Sequence, residues 1–172
     1  MANLDNGRKA SHGAQAKKDT KEMIQKCEGL MSLKDGPKVS SNIIERASCH
    51  LEATLNNHDN VSIYVTSTWS LRVDRMDAVN TTMKRLKDHA AQNNKNVICI
   101  LVSNCEEELP SMPNSVLLNA YNFGERGCVG IDVVVKTEDI SEVLNAINNV
   151  ESKNDIDAMI ATIKDVIKNK SY

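Results

Sequence analysis

A cysteine and three glutamates follow directly on the apolar run NVICILVS, giving Ser103-Asn104-Cys105-Glu106-Glu107-Glu108. A thiol just past the end of a buried strand is where a nucleophile elbow would place it. Such elbows need small neighbours, however, and Asn104 and Glu106 are not small. Three carboxylates would also keep the thiol protonated, the wrong direction for a nucleophile. The same residues spell a capping box, in which the Ser103 hydroxyl accepts from the amide three positions on and Glu106 reaches back. The stretch therefore reads as the start of a helical turn, and no residue is assigned a catalytic role.

Strand ends supply the second candidate set. Ligands of open α/β sheets gather outside the carboxyl ends of parallel strands. Here those ends read Ser67-Thr68-Trp69, Ser103-Asn104 and Lys136-Thr137-Glu138-Asp139. Ser67, Ser103, Asn104 and Asp132 are the expected ligand-binding residues, with helix capping as the competing role for such side chains. Asp132 interrupts the apolar strand GIDVVVK, where a carboxylate also serves as an aggregation guard on an edge. A nuclease-like acidic site would want a second carboxylate and a lysine at close spacing, and Asp132 to Lys136 skips three residues. Neither GxGxxG after a strand nor GxxxxGK[ST] occurs, so the usual backbone cradles for phosphate are missing and no cofactor is expected.

His12, His50, His58 and His89 match no zinc-ligand spacing, and no metal is expected. The five cysteines are odd in number and form no CxxC, which argues against a disulfide framework and fits a reducing compartment. Trp69 is the single tryptophan and stands in a loop. With Arg72 and Arg75 it makes the expected interaction patch. Arg72, Arg75, Lys84, Arg85 and Lys87 interleave with Asp74, Asp77 and Asp88, as on a solvated, salt-bridged helix face. Nucleic-acid binding stays open but is not favoured, because aromatics make up 3% of the chain and the formal charge is -2.

These residues need elements to hold them. The 172 residues suit one domain. A polar stretch over 1–19 is expected to be a disordered tail, and 20–172 a single α/β domain. Helical spacing is read over 19–33 and again over 42–55, where Ile43, Ile44, Ala47, Leu51 and Leu55 make one stripe capped by Asn42 and Glu45. Strands are expected near 61–67, 97–103, 115–121 and 129–136, with 97–103 central and 61–67 nearer an edge. Between the first two lies a helix with the stripe Met76, Val79, Met83, Leu86 and Ala90, making one βαβ crossover. Two helices follow the last strand, one with Ile140, Val143, Leu144 and Ile147 inward, the other carrying Ile156, Met159, Ile160, Ile163, Val166 and Ile167.

The fold class is thus α/β: a small three-layer-like domain with a mixed, mainly parallel sheet covered by amphipathic helices. No apolar run approaches the roughly 18 residues of a membrane span, and the first residues lack a signal-peptide core. The leading functional reading is a non-catalytic protein-interaction or scaffold domain of an intracellular assembly, cytoplasmic or nuclear, with a protein partner or a second copy of itself. The alternatives are a small-ligand-binding or hydrolytic enzyme working at the strand carboxyl ends, and a nucleic-acid-binding protein.

Overall fold

Residues 97–102 are apolar without interruption, so a strand made of them has two faces to bury. The computed structural model describes residues 2–40, 46–68, 73–103 and 130–168. In chain order these form α1 (Ala2–Gln25), β1 (Leu30–Asp35), β2 (Lys38–Ser40), β3 (Arg46–Ser48), β4 (Leu51–Leu55), β5 (His58–Thr68), α2 (Val73–Gln92), β6 (Asn96–Ser103) and β7 (Val133–Lys136). A 3₁₀ turn (Thr137–Asp139), α3 (Ile140–Asn148) and α4 (Ile156–Lys168) complete them.

The main sheet has five strands in the order β1-β4-β5-β6-β7, and β2 with β3 makes a separate two-stranded ribbon. β1, β4 and β5 pair antiparallel, while β5, β6 and β7 pair parallel. The sheet is therefore mixed, as expected, with its two kinds of pairing in equal share rather than mainly parallel. One face carries Ile63, Val65, Ile98, Ile100 and Val133 and packs on α1, α3 and α4. The other carries Tyr64, Cys99, Leu101 and Val134 and packs on the α2 stripe Met76, Val79, Met83, Leu86 and Ala90, with Ala47 and Val39 of the ribbon beside it. That makes three layers, and α2 joins parallel neighbours β5 and β6 as a βαβ unit should.

Several expectations need correction. β5, not β6, is the middle strand of the sheet. Its alternation of Ser62, Tyr64 and Thr66 with valine and isoleucine looks half-solvated, yet every residue from Val61 to Thr68 is buried, because β5 lies in the middle of a sheet covered on both faces. The helix read over 42–55 is instead β3 and β4 where the structure describes it. Leu51, Ala53 and Leu55 alternate on one face, and this five-residue period of two imitated a three-four spacing. The helix read over 19–33 ends at Gln25, and Leu30–Asp35 is strand. Residues 2–19, within the stretch expected to be a disordered tail, lie in α1. Ala16, Thr20 and Ile24 dock it, a stripe at i, i+4 with too few large apolar residues to show as a period. The expected strand 115–121 and the Asn42–Glu45 cap lie outside the described residues, as does the Ser103–Glu106 cap beyond its serine.

Candidate functional site

The ribbon and the first half of α2 meet over the carboxyl-terminal half of β5 and leave a hollow of about 410 Å³. Lys38, Ser40, Arg46 and Ser48 come from the ribbon, Thr66 from β5, and Arg75, Ala78, Val79 and Thr82 from one face of α2. That volume lies within the roughly 300–1,000 Å³ of small-ligand pockets. The ribbon holds its place because Val39 and Ala47 turn into the core while Lys38, Ser40, Arg46 and Ser48 stay exposed. Arg85 Nη1 also donates to the Arg46 carbonyl at 3.4 Å, tying the ribbon to α2.

His50 completes the lining, and its backbone is fixed on both sides. Its N–H donates to the Val65 carbonyl at 3.1 Å, and its carbonyl accepts from the Gly36 N–H at 3.1 Å. Gly36 permits this crossing, since a Cβ there would run into the Cys49 carbonyl and thiol. The ring is fixed as well. Nδ1 accepts the Ser67 backbone N–H at 3.1 Å and lies 2.9 Å from the Ser67 hydroxyl. With Nδ1 an acceptor, the neutral ring carries its proton on Nε2.

Electrostatics set the sign of the hollow. Lys38, Arg46 and Arg75 line it together with His50, and no carboxylate is among the described lining residues. Burial, then the charges of Lys17 and Arg75, push the His50 imidazolium below its ordinary pKa. The carboxylate two residues along is occupied. Glu52 is 4% exposed, and Lys95 and Lys34 reach its oxygens at 2.8 and 2.9 Å. Burial alone would raise Glu52, but hydrogen bonds and charge from Lys95 and Lys34 outweigh it and hold the carboxyl below the usual range. Lys95 further lies over the Tyr64 ring, 5.4 Å from its centre.

The residues singled out in the sequence are dispersed. Ser67 orients the His50 ring through its backbone N–H and hydroxyl and is itself buried. Thr68, Ser103 and Lys136 stand in one row across the ends of the three parallel strands. Asp132 lies beside Cys99, four residues back along β6 from Ser103, about 13 Å at strand rise. There its carboxylate accepts the Cys99 N–H at 2.8 Å and Lys87 at 2.7 Å, and its own N–H donates to the Cys99 carbonyl. Ser67, Ser103 and Asp132 therefore share no pocket. Asn104, Trp69 and Arg72 lie outside the described residues, whereas Arg75 is exposed on the hollow. Lys38, Arg46, His50, Thr66 and Thr82 were missed, because reading 42–55 as a helix hid the ribbon that gathers them.

Other reactive side chains are engaged elsewhere. His58 begins β5, nine residues and about 30 Å along the strand from Ser67, and its Nδ1 accepts the Asn154 N–H at 2.9 Å. Among the described residues no group of three His, Cys, Asp or Glu is placed to hold a metal ion. Cys27, Cys49 and Cys99 are buried thiols. Burial first, then Glu52, pushes Cys49 up to about 12, and burial likewise raises Cys27 and Cys99. Among the described residues no helix is long and apolar enough to cross a membrane.

No family model and no curated protein matches the chain. Among solved structures, it is similar to the small subunit (R.BspD6I2) of the heterodimeric restriction endonuclease R.BspD6I. The likeness has 8% identity and a TM-score of 0.49, over 92% of this chain and 82% of that one.

Proposed function

We propose that the protein is a non-catalytic binding domain and that it binds an anionic ligand in the basic hollow between the β2–β3 ribbon and α2. One observation carries the reading: Lys38, Arg46, Arg75 and His50 line a single concavity with no carboxylate among the described lining residues, in a chain whose net charge is -2. A local positive field of this kind concentrates anions whatever the global charge. A binding role is supported by His50, whose ring is held through Nδ1 by Ser67 and so keeps its Nε2–H as a donor for a bound anion. The protein-partner expectation survives at Arg75, which would meet an acidic segment as readily as any other anion.

The test is a titration of the full chain with pyrophosphate and with citrate, two small polyanions of unlike chemistry, followed by amide chemical shifts. Shifts should concentrate in 38–40, 46–50 and 75–82 and disappear in Arg46→Gln/Arg75→Gln. Saturating shifts located elsewhere, or none with either probe at millimolar concentration, would overturn the reading.

A further inference from the structure

The composition of the hollow narrows the anion it accepts. Among the described residues, its lining holds no Phe, Tyr or Trp on which a base or sugar could stack, and no carboxylate to receive a ribose diol or an amine. What it offers is charge and short donors: two arginines, a lysine, an imidazole, and the hydroxyls of Ser48, Thr66 and Thr82. Guanidinium groups match tetrahedral oxyanions through paired N–H donors. Size points the same way. Specific DNA surfaces cover roughly 1,000–2,500 Å² with many phosphate contacts. Here the outer face of α2 beyond the hollow spends Lys84 on Asp88, and Asp77 stands exposed.

Resting on the anion-site reading above, we propose that the hollow receives the phosphate group of a small phosphorylated molecule, held by Arg46, Arg75 and Lys38, with His50 presenting its Nε2–H. The groups facing His50 are Lys17 of α1, Arg75 of α2, Lys38 and Arg46 of the ribbon, and the Ser67 hydroxyl of β5. Glu52 is held by Lys34 and Lys95. Around an empty hollow these cations disfavour a second proton on the ring. A bound dianion reverses the local field, and the ring then takes up a proton on Nδ1, which gives up the Ser67 backbone N–H it accepted at 3.1 Å and donates instead to the Ser67 hydroxyl at 2.9 Å. Phosphate capture is therefore coupled to proton uptake.

Calorimetry on the full chain between about pH 6 and 7, in two buffers of different ionisation enthalpy, tests this. Inorganic phosphate and inorganic sulfate are the probes; sulfate does not titrate in that range, so any proton it draws comes onto the protein. Both should bind, sulfate with net proton uptake. Arg75→Gln should weaken both about 10–100-fold, the size of a lost charge-assisted bond. His50→Gln, with folding checked by thermal unfolding, should abolish the uptake. Equal uptake in wild type and His50→Gln overturns the assignment of His50. Two further probes separate this proposal from the reading beneath it: an oligonucleotide without a terminal phosphate, and poly-glutamate. If either binds through Arg46 and Arg75 while phosphate and sulfate do not, the anion site stands and the phosphate proposal falls. If nothing binds, both fall.

Discussion

Removing the two lysines that hold Glu52 should cost more than the sum of their separate losses. The Glu52 carboxylate is 5% exposed, Lys95 is 39% exposed and Lys34 67%. Lys95→Met removes a 2.8 Å charge-assisted bond to a buried acceptor, about 1.5–3 kcal/mol. Lys34→Met removes a mostly solvated partner, about 0.5–1 kcal/mol. Each single variant leaves one cation in place. The double variant leaves a buried charge with neither, a state that costs about 3–5 kcal/mol, so the pair should couple by about 0.5–3 kcal/mol. Adding Glu52→Met should restore most of that loss, since an apolar trio of similar volume no longer buries a charge.

Urea unfolding of the wild type and the four variants at pH 7 measures these terms, and the pH dependence supplies an independent sign. In the wild type Glu52 titrates below its unfolded value of about 4.3, so its stabilisation is complete above that pH and is lost as pH falls through the folded pKa. Without the lysines burial dominates, the folded pKa rises above about 4.3, and acidification stabilises the double variant relative to its unfolded chain. The gap between the two proteins should therefore narrow as pH drops from 7 to 4. Strictly additive losses, no recovery on Glu52→Met and a gap that widens with acid would refute the account.

Two smaller perturbations test how the sheet is held to α2. Gly130 places its Cα against the α2 backbone, where a Cβ would run into the Asn80 carbonyl and the Lys84 nitrogen. Gly130→Ala should thus cost about 1–3 kcal/mol by overpacking, read as a lowered urea midpoint with unchanged slope. Asp132→Ala strips the acceptor from the buried Cys99 N–H and the partner from Lys87, and should cost about 1–3 kcal/mol. Amide exchange at Cys99 should speed up in that variant, and unchanged exchange would return Asp132 to a mere surface guard.

Legibility in the sequence followed the length and regularity of each pattern. The α2 stripe from Met76 to Ala90, the inward residues of α3 and α4, and β6 could all be read directly, because each repeats one period over several turns or runs apolar without interruption. Short elements fared worse. Leu51-Glu52-Ala53-Thr54-Leu55 fits two periods equally well, and only its pairing with β5 decides between them. β5 looked peripheral because its hydroxyls imitate a wet face. Of the hollow, only Arg75 had been picked out, and for a different role. Its other members are spread over 38–82, and what gathers them is a three-residue ribbon pairing that no local propensity specifies.

The sign of the hollow follows from where the acids go. A chain with 23 acidic and 21 basic residues has no surplus of cations, so a positive concavity needs its acids engaged elsewhere. Glu52 is held by Lys34 and Lys95, Asp132 by Lys87, Asp88 by Lys84 and Asp59 by Lys153. Among the described ion pairs none draws on Lys38, Arg46 or Arg75. The two surface pairs contribute little stability individually. The buried ones matter more, since a Glu52 released from its lysines would bring a negative charge to within two residues of His50. Stability and binding are then linked through one carboxylate: loosening the Glu52 cluster should destabilise the fold and weaken anion affinity together, although neither lysine lines the hollow.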